Sequence, residues 1–231
     1  MEEHGKYRAV RSYVLRQGRI TPSQTRALDE LWARFGMILT PDALDLDTLF
    51  GRHAPRILEI GFGDGENLLA QAAANPEHDF IGIEVHAPGV GRVLNQLNAL
   101  ELDNVRVLRE DAVTVLTQMI PRDSLDKIQL FFPDPWPKKR HHKRRIVQPE
   151  FVATLAARLR PGGLLHFATD WADYADHMLG VLEQCPSLRN TAAGSGFATE
   201  PPARARTRFE RRGLRLGHAV FDLVFARAYP A

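Results

Sequence analysis

Six short apolar runs, regularly interrupted, limit what this chain can fold into. They are RILEI (56–60), FIGIE (80–84), VRVLR (105–109), KIQLFF (127–132), LLHFAT (164–169) and VFDLVFARA (220–228). Most are rich in Val, Ile, Leu or Phe and short enough to be buried strands. Helix-like stretches at 66–74, 87–100, 112–119, 149–160 and 171–183 follow the first five in turn. A strand and a helix alternating at this spacing give an α/β, Rossmann-like fold, a mostly parallel sheet with helices on both faces. Right-handed crossovers follow from chain chirality. The sixth run comes after a long loop (190–208) with no crossover helix, so an antiparallel last strand is expected.

The segment before residue 56 is different. Residues 1–20 are polar and basic and read as a flexible N-terminal arm, leaving 21–231 as a single domain. Thr21-Pro22-Ser23 is a helix start. Behind it Leu28, Leu31, Trp32 and Phe35 share one helical face, which Gly36 ends. A short helix is expected within 42–50. No apolar run reaches the ~18 residues of a membrane helix, and the N-terminus has no apolar signal core. The lone Cys185 rules out an internal disulfide and argues against a thiol metal site, so a reducing cytoplasm and no metal are expected. The sequence shows no interface, and a monomer or a homodimer fits it equally.

LEIGFGDGENLL places Gly61, Gly63 and Gly65 between the first strand and its helix. Such a loop admits a close ligand, and the following helix N-terminus favours an anion. By itself it serves a dinucleotide, a flavin, S-adenosylmethionine or a plain turn. The acids narrow this choice. Glu59 ends the first strand, Glu84 the second, Asp111 follows the third and Asp134 the fourth. The carboxyl ends of parallel strands line one crevice, so four carboxylates converge there. Singly, each could be a loop acid, and Asp111 could simply cap its helix. Together they suit a nucleoside carrying an amino acid: Glu84 for ribose hydroxyls, Asp111 for an adenine amine, Glu59 for an ammonium. Acids would repel a pyrophosphate, whereas a sulfonium tolerates them.

FFPDPWPKKRHHKRR (131–145) sets Asp134 in a proline-stiffened corner ahead of a polycation. The segments 138–145 and 204–215 together carry a net +11, which leaves −9 on the rest of a chain whose total is +2. An acidic body with two basic patches implies a polyanionic partner. Trp136 or Phe209 could stack on an exposed base. RARTRFERRGLR (204–215) could also be a strand edge guarded by charge. The adjacent His141 and His142 point different ways among cations and make a poor metal site. His166 and His218 read as packing or hydrogen-bonding residues, and TDWADY (169–174) as a capped helix start.

LEIGFGDGENLL, GIEVHAPGVGRVL, FFPDPWPKKRHHKRR, FATDWADYADHM and TRFERRGLRLGH together resemble the bacterial tRNA (guanine-N7)-methyltransferase family, from about residue 54 onward. The resemblance implies a class I methyltransferase fold, S-adenosylmethionine as donor, and methylation of the variable-loop guanosine (position 46) of tRNA. It implies that Glu59, Gly61, Gly63, Glu84, Asp111 and Asp134 contact the cofactor and that Asp134 is catalytic. Lys138, Asp170, Thr207, Arg208, Phe209 and Glu210 would contact the substrate. Pro137 stands where that family is expected to have a His. The chemistry agrees, since guanine N7 has a free lone pair and no proton to lose and so needs placement rather than a strong base. Three rivals stand beside this reading: a methyltransferase for an exocyclic amine or other base atom, an NAD-dependent oxidoreductase, and a catalytically silent RNA-binding protein.

Overall fold

The computed structural model describes residues 18–192, 194 and 196–229, without the side chains of Phe209 and Leu214. Most of the expected basic arm therefore lies outside the described residues.

The parallel strands are β1 (Arg56–Ile60), β2 (Asp79–Ile83), β3 (Val105–Leu108), β4 (Leu125–Phe131) and β5 (Leu159–Thr169). Between and after them run α4 (Glu66–Ala74), α5 (Ala87–Ala99), α6 (Ala112–Gln118), α7 (Pro149–Arg158) and α8 (Ala172–Glu183). Ahead of the sheet lie α1 (Pro22–Glu30), α2 (Trp32–Phe35) and α3 (Leu46–Phe50). After α8 come β6 (Leu188–Asn190), α9 (Arg208–Arg215) and β7 (Phe221–Arg227).

The seven strands lie in the order β3-β2-β1-β4-β5-β7-β6. The last strand, β7, runs antiparallel to β5, with His166 opposite Val224. The five-residue runs of β1 and β2 are buried throughout, because helices cover both of their faces. One core holds Leu58, Ile60, Ile81 and Ile83 against α6, α7 and α8. The other holds Ile57, Phe80, Val105 and Val107 against α1, α4 and α5.

The first expected helix is split. Thr21 and Gln24 form a reciprocal cap at the start of α1. Leu31 ends α1 and begins α2, and Gly36 closes α2. Leu28, Leu31 and Trp32 still pack on the second core. The expected loop over 190–208 is also shorter than predicted, since β6 reaches Asn190 and a helix begins at Arg208. The alternative strand-edge reading of 204–215 is wrong: these residues form a strap that leads into α9. Among the described residues, no helix is long and apolar enough to cross a membrane.

Candidate active site

The chain moves outward from β1 to β3 and then returns to β4 on the other side of β1. This reversal leaves a gap beyond the carboxyl ends of β1 and β4, where an open α/β sheet takes its ligand. The glycine loop follows β1 and the proline corner follows β4, so sequence order alone puts both at the gap.

The glycine loop is bent sharply. Gly63 has φ +55°, and a Cβ on Gly89 of α5 would sit 2.4 Å from the Gly63 carbonyl oxygen. Loop and helix touch backbone to backbone, which only glycine allows. Gly61 also adopts positive φ, at +71°. The corner after β4 carries strain of its own. Phe132 (φ +51°) and Trp136 (φ +44°) are both left-handed, and each precedes a proline. A bulky residue in that region costs about 1–3 kcal/mol and persists only where the surroundings enforce it.

A crevice of about 270 Å³ opens between these loops, lined by Gly61, Gly63, Glu84, Glu110, Asp111 and Asp134 over an apolar floor that includes Ile60 and Leu130. Four of its lining residues are acids, and no Lys or Arg is among them. Glu84 is fixed by backbone donors: Val85 and His86 N–H give to Oε1 at 2.7 and 2.9 Å, and Gly63 N–H gives to Oε2 at 2.9 Å. Oε2 keeps capacity for a further donor. Asp111 caps α6 through Oδ1, which accepts from Thr114 N–H at 3.0 Å. Oδ2 is the oxygen left over for a ligand. Asp134 is exposed and makes no hydrogen bond or ion pair with the described residues. Glu110 was not singled out from the sequence. Its only signal was its place beside Asp111 in the same turn.

Glu59 lies below the crevice rather than along it. It is buried, and Asn67 Nδ2 donates to its Oε2 at 2.8 Å. Burial pushes its carboxyl up to about 7, against the opposing pull of Asn67 and Lys127.

Of the expected substrate residues, Lys138 lies beyond β4 at the start of the 3-10 helix Lys139–Arg144, and the others lie on the strap, on α9 and after β5. Thr207 caps α9, accepting from Glu210 N–H at 3.2 Å. Arg208 is exposed and lies 3.7 Å from Asp64 in the glycine loop. Asp170 Oδ2 sits 3.5 Å from His218 Nδ1, and a Cβ on Gly213 of α9 would meet it at 2.6 Å. The side chain of Phe209 falls outside the described residues. Glu210 is buried and doubly bonded to Arg204, at 2.5 and 3.2 Å.

The first basic patch is less uniform than its sequence suggests. Lys139–Arg144 form a 3-10 helix that starts after Lys138. Lys138, Lys139, Arg140 and Lys143 are exposed. Arg145 is buried instead: its Nε donates to the Pro135 carbonyl at 2.9 Å, it pairs with Asp173, and it stacks 4.8 Å over Tyr174. It grips the proline corner, not a phosphate. Trp136 has Arg144 stacked 3.9 Å over its ring, so that face holds a guanidinium rather than a base. His166 is buried against Asp222 at 2.8 Å, a hydrogen-bonding role as expected. The expected cap in TDWADY is not made: Trp171 is the N-cap of α8 and no side chain caps the helix, while Thr169 only accepts from Trp171 N–H at 3.2 Å ahead of it.

A mostly parallel sheet, a glycine loop at its reversal point and an acid-lined crevice beside it define a Rossmann-like class I methyltransferase fold. Solved structures agree on that fold. The 16S rRNA methyltransferase KamB superposes with TM-score 0.56 at 16% identity, over 85% of this chain and 99% of that one. The 16S rRNA (adenine(1408)-N(1))-methyltransferase of Catenulisporales acidiphilia, in a form solved with cosubstrate SAM, gives 0.54 at 15%, over 84% and 94%. A family described as "Putative methyltransferase" matches residues 53–223. The tRNA (guanine-N(7)-)-methyltransferase of Alkalilimnicola ehrlichii is 58% identical over 222 residues, covering 95% of this chain and 93% of the relative. That of Thiobacillus denitrificans is 57% identical over 218 residues, covering 94% and 95%. The chain belongs to the tRNA (guanine-N7)-methyltransferase family.

Proposed function

We propose that this chain transfers a methyl group from S-adenosylmethionine to N7 of the variable-loop guanosine (position 46) of tRNA, acting in the cytoplasm through one domain over residues 21–231. The observation that carries the reading is the crevice, whose four acids and absent cations suit a positively charged ligand and oppose a pyrophosphate. That favours S-adenosylmethionine over a nicotinamide dinucleotide. Glu84 Oε2 and Asp111 Oδ2 keep acceptor capacity toward ribose and adenine groups, and Gly61 and Gly63 let the ligand approach the backbone. Glu59 acts from beneath, as a buried carboxyl behind the loop. The bound donor supplies an electrophilic methyl on a sulfonium.

The protein's part is then orientation and charge. Guanine N7 attacks with its own lone pair, so no residue has to remove a proton at that atom. Methylation makes the base cationic, and an exposed carboxylate at the crevice mouth, Asp134, stabilises that charge as it develops. A second carboxylate accepting from guanine N1 and N2 would reject adenine, which offers an acceptor at N1. Asp170 is the candidate, since both Glu210 oxygens are engaged by Arg204. Lys138 and Arg208 present exposed cations to phosphates, with Thr207 and Phe209 beside them on the strap and α9.

Methyl-labelled S-adenosylmethionine and unmodified tRNA, followed by nucleoside analysis, test the reading directly. Label in 7-methylguanosine is expected, with aniline cleavage after base treatment mapping it to the variable loop. Label in any other nucleoside would overturn the N7 assignment. Asp134→Asn is expected to lower kcat by about 100-fold or more while changing tRNA affinity less than threefold. Near-normal turnover would remove Asp134 from the catalytic role.

A further inference from the structure

Arg204 sits in the second basic patch, yet it faces inward. Its side chain is 7% exposed. Its guanidinium makes two two-pronged contacts: Nη1 and Nη2 to the Glu210 carboxylate at 2.5 and 3.2 Å, and Nε and Nη2 to Asp222 at 2.9 and 3.1 Å. It also stacks over Phe131 at 5.4 Å and Phe132 at 5.6 Å. Phe131 ends β4, and Phe132 is the first strained residue of the Asp134 corner. His166 joins the same cluster: its ring meets Phe131 edge-on at 4.9 Å and bonds Asp222 at 2.8 Å. One side chain thus joins three parts of the active site: α9 through Glu210, β7 through Asp222, and the catalytic corner through the two phenylalanines.

The strap is tied to the cofactor loop as well. Ala205 N–H donates to Asn67 Oδ1 at 3.0 Å, and Arg211 pairs with Glu66 at 2.5 Å. Both acceptors lie in the first turn of α4, directly after the glycine loop. A strap pinned at Arg204 therefore has a fixed position relative to both the corner and the loop.

We infer that Arg204 is a positioning residue for methyl transfer: its fork holds α9 and the Asp134 corner in register, and it makes no contact with tRNA phosphate. This rests on the proposed tRNA methylation and adds a residue to it. Geometry supplies the reason for an arginine. A planar fork can meet two carboxylates in two-pronged fashion while lying flat against aromatic rings, and an ammonium has neither the paired donors nor the flat face.

The substitution Arg204→Lys keeps a positive charge between the two carboxylates and so protects folding, and Arg204→Gln removes the charge. Turnover is measured per site able to bind S-adenosylhomocysteine, alongside tRNA binding over a range of salt. For Arg204→Lys, kcat is expected to fall at least 30-fold, with S-adenosylhomocysteine affinity and tRNA affinity each within threefold of the parent. For both variants, the slope of log affinity against log salt is expected to stay unchanged. A kcat within threefold in the lysine variant would overturn the inference. So would a slope shallower by about 0.7–0.9 in Arg204→Gln, which is the mark of a lost phosphate contact. Parallel loss of S-adenosylhomocysteine binding would show a general fold defect and overturn it too. If Arg204→Gln does not fold, the lysine variant decides. A parent chain that labels no tRNA would fail the proposed function itself, a result separate from all of these.

Discussion

Glu59 occupies a place where a carboxylate is costly. It is fully enclosed between β1 and α4, and Asn67 is its hydrogen-bond donor. Asn67 also holds the strap, by accepting from Ala205 N–H, so this buried group is linked to the segment that leads into α9. With its carboxyl moved from 4.5 to about 7, folded Glu59 holds a proton that the unfolded chain has already released. The sign follows from that. The contribution of Glu59 to stability is fully present below pH ~4.5 and is lost as pH rises through ~7, a change on the order of 3 kcal/mol. Glu59→Gln keeps the shape and cannot ionise. Urea unfolding of the ligand-free protein from pH 4.5 to 8 is expected to show the parent losing stability relative to the glutamine variant. The Asp222–His166 pair titrates in both proteins and cancels in the difference. Parallel pH curves would show that Glu59 ionises normally in the fold.

At the scale of elements, the alternation of strand and helix was legible because buried parallel strands have to be apolar on both faces. β1 was bounded correctly to the residue, and α4 likewise. α9 was missed for a physical reason. Six arginines in twelve residues leave no apolar periodicity to read, and the strap and α9 are held by ion pairs to Asp222 and Glu66, outside that segment. The acids at the strand ends were legible because strand position fixes side-chain position at the crevice. What each acid bonds to was not, so Glu59 sits below the crevice and Glu210 is engaged by Arg204. Arg145 is the sharpest case, since in sequence nothing separates it from the five cations before it. In the fold it turns inward and holds the Pro135 carbonyl, which braces a corner with two left-handed residues. Arg145→Lys keeps the charge but loses the fork and the stacking on Tyr174. It is expected to cost about 1–2 kcal/mol in denaturant unfolding and to lower kcat about tenfold or more. An unchanged kcat would mean that the corner keeps its shape without it.

Over the whole molecule, the charge separation becomes a directed surface once the buried arginines are set aside. Arg145 and Arg204 are buried or nearly so, and Arg211 pairs with Glu66. The outward-facing cations of the two patches are then Lys138, Lys139, Arg140, Lys143, Arg206, Arg208, Arg212 and Arg215. They belong to the 3-10 helix with the residue before it and to the strap with α9, the segments that follow β4 and precede β7. Phosphates gripped there would be held by two clusters of cations on a chain whose remainder is at −9. Affinity for tRNA should therefore fall steeply with salt. If about five of these groups each neutralise a phosphate, the slope of log affinity against log salt lies near −4. Removing one contacting cation, as in Lys139→Ala or Arg212→Ala, should make that slope shallower by about 0.7–0.9 and leave kcat at saturating tRNA within threefold. Arg145→Gln and Arg204→Gln should do the reverse, lowering kcat at a constant slope. The contrast isolates the geometry, because all four residues are basic and lie within two short segments of sequence. If all four variants instead shared one slope change, the patches would act as undifferentiated charge, and the inward turn of Arg145 and Arg204 would have no bearing on catalysis.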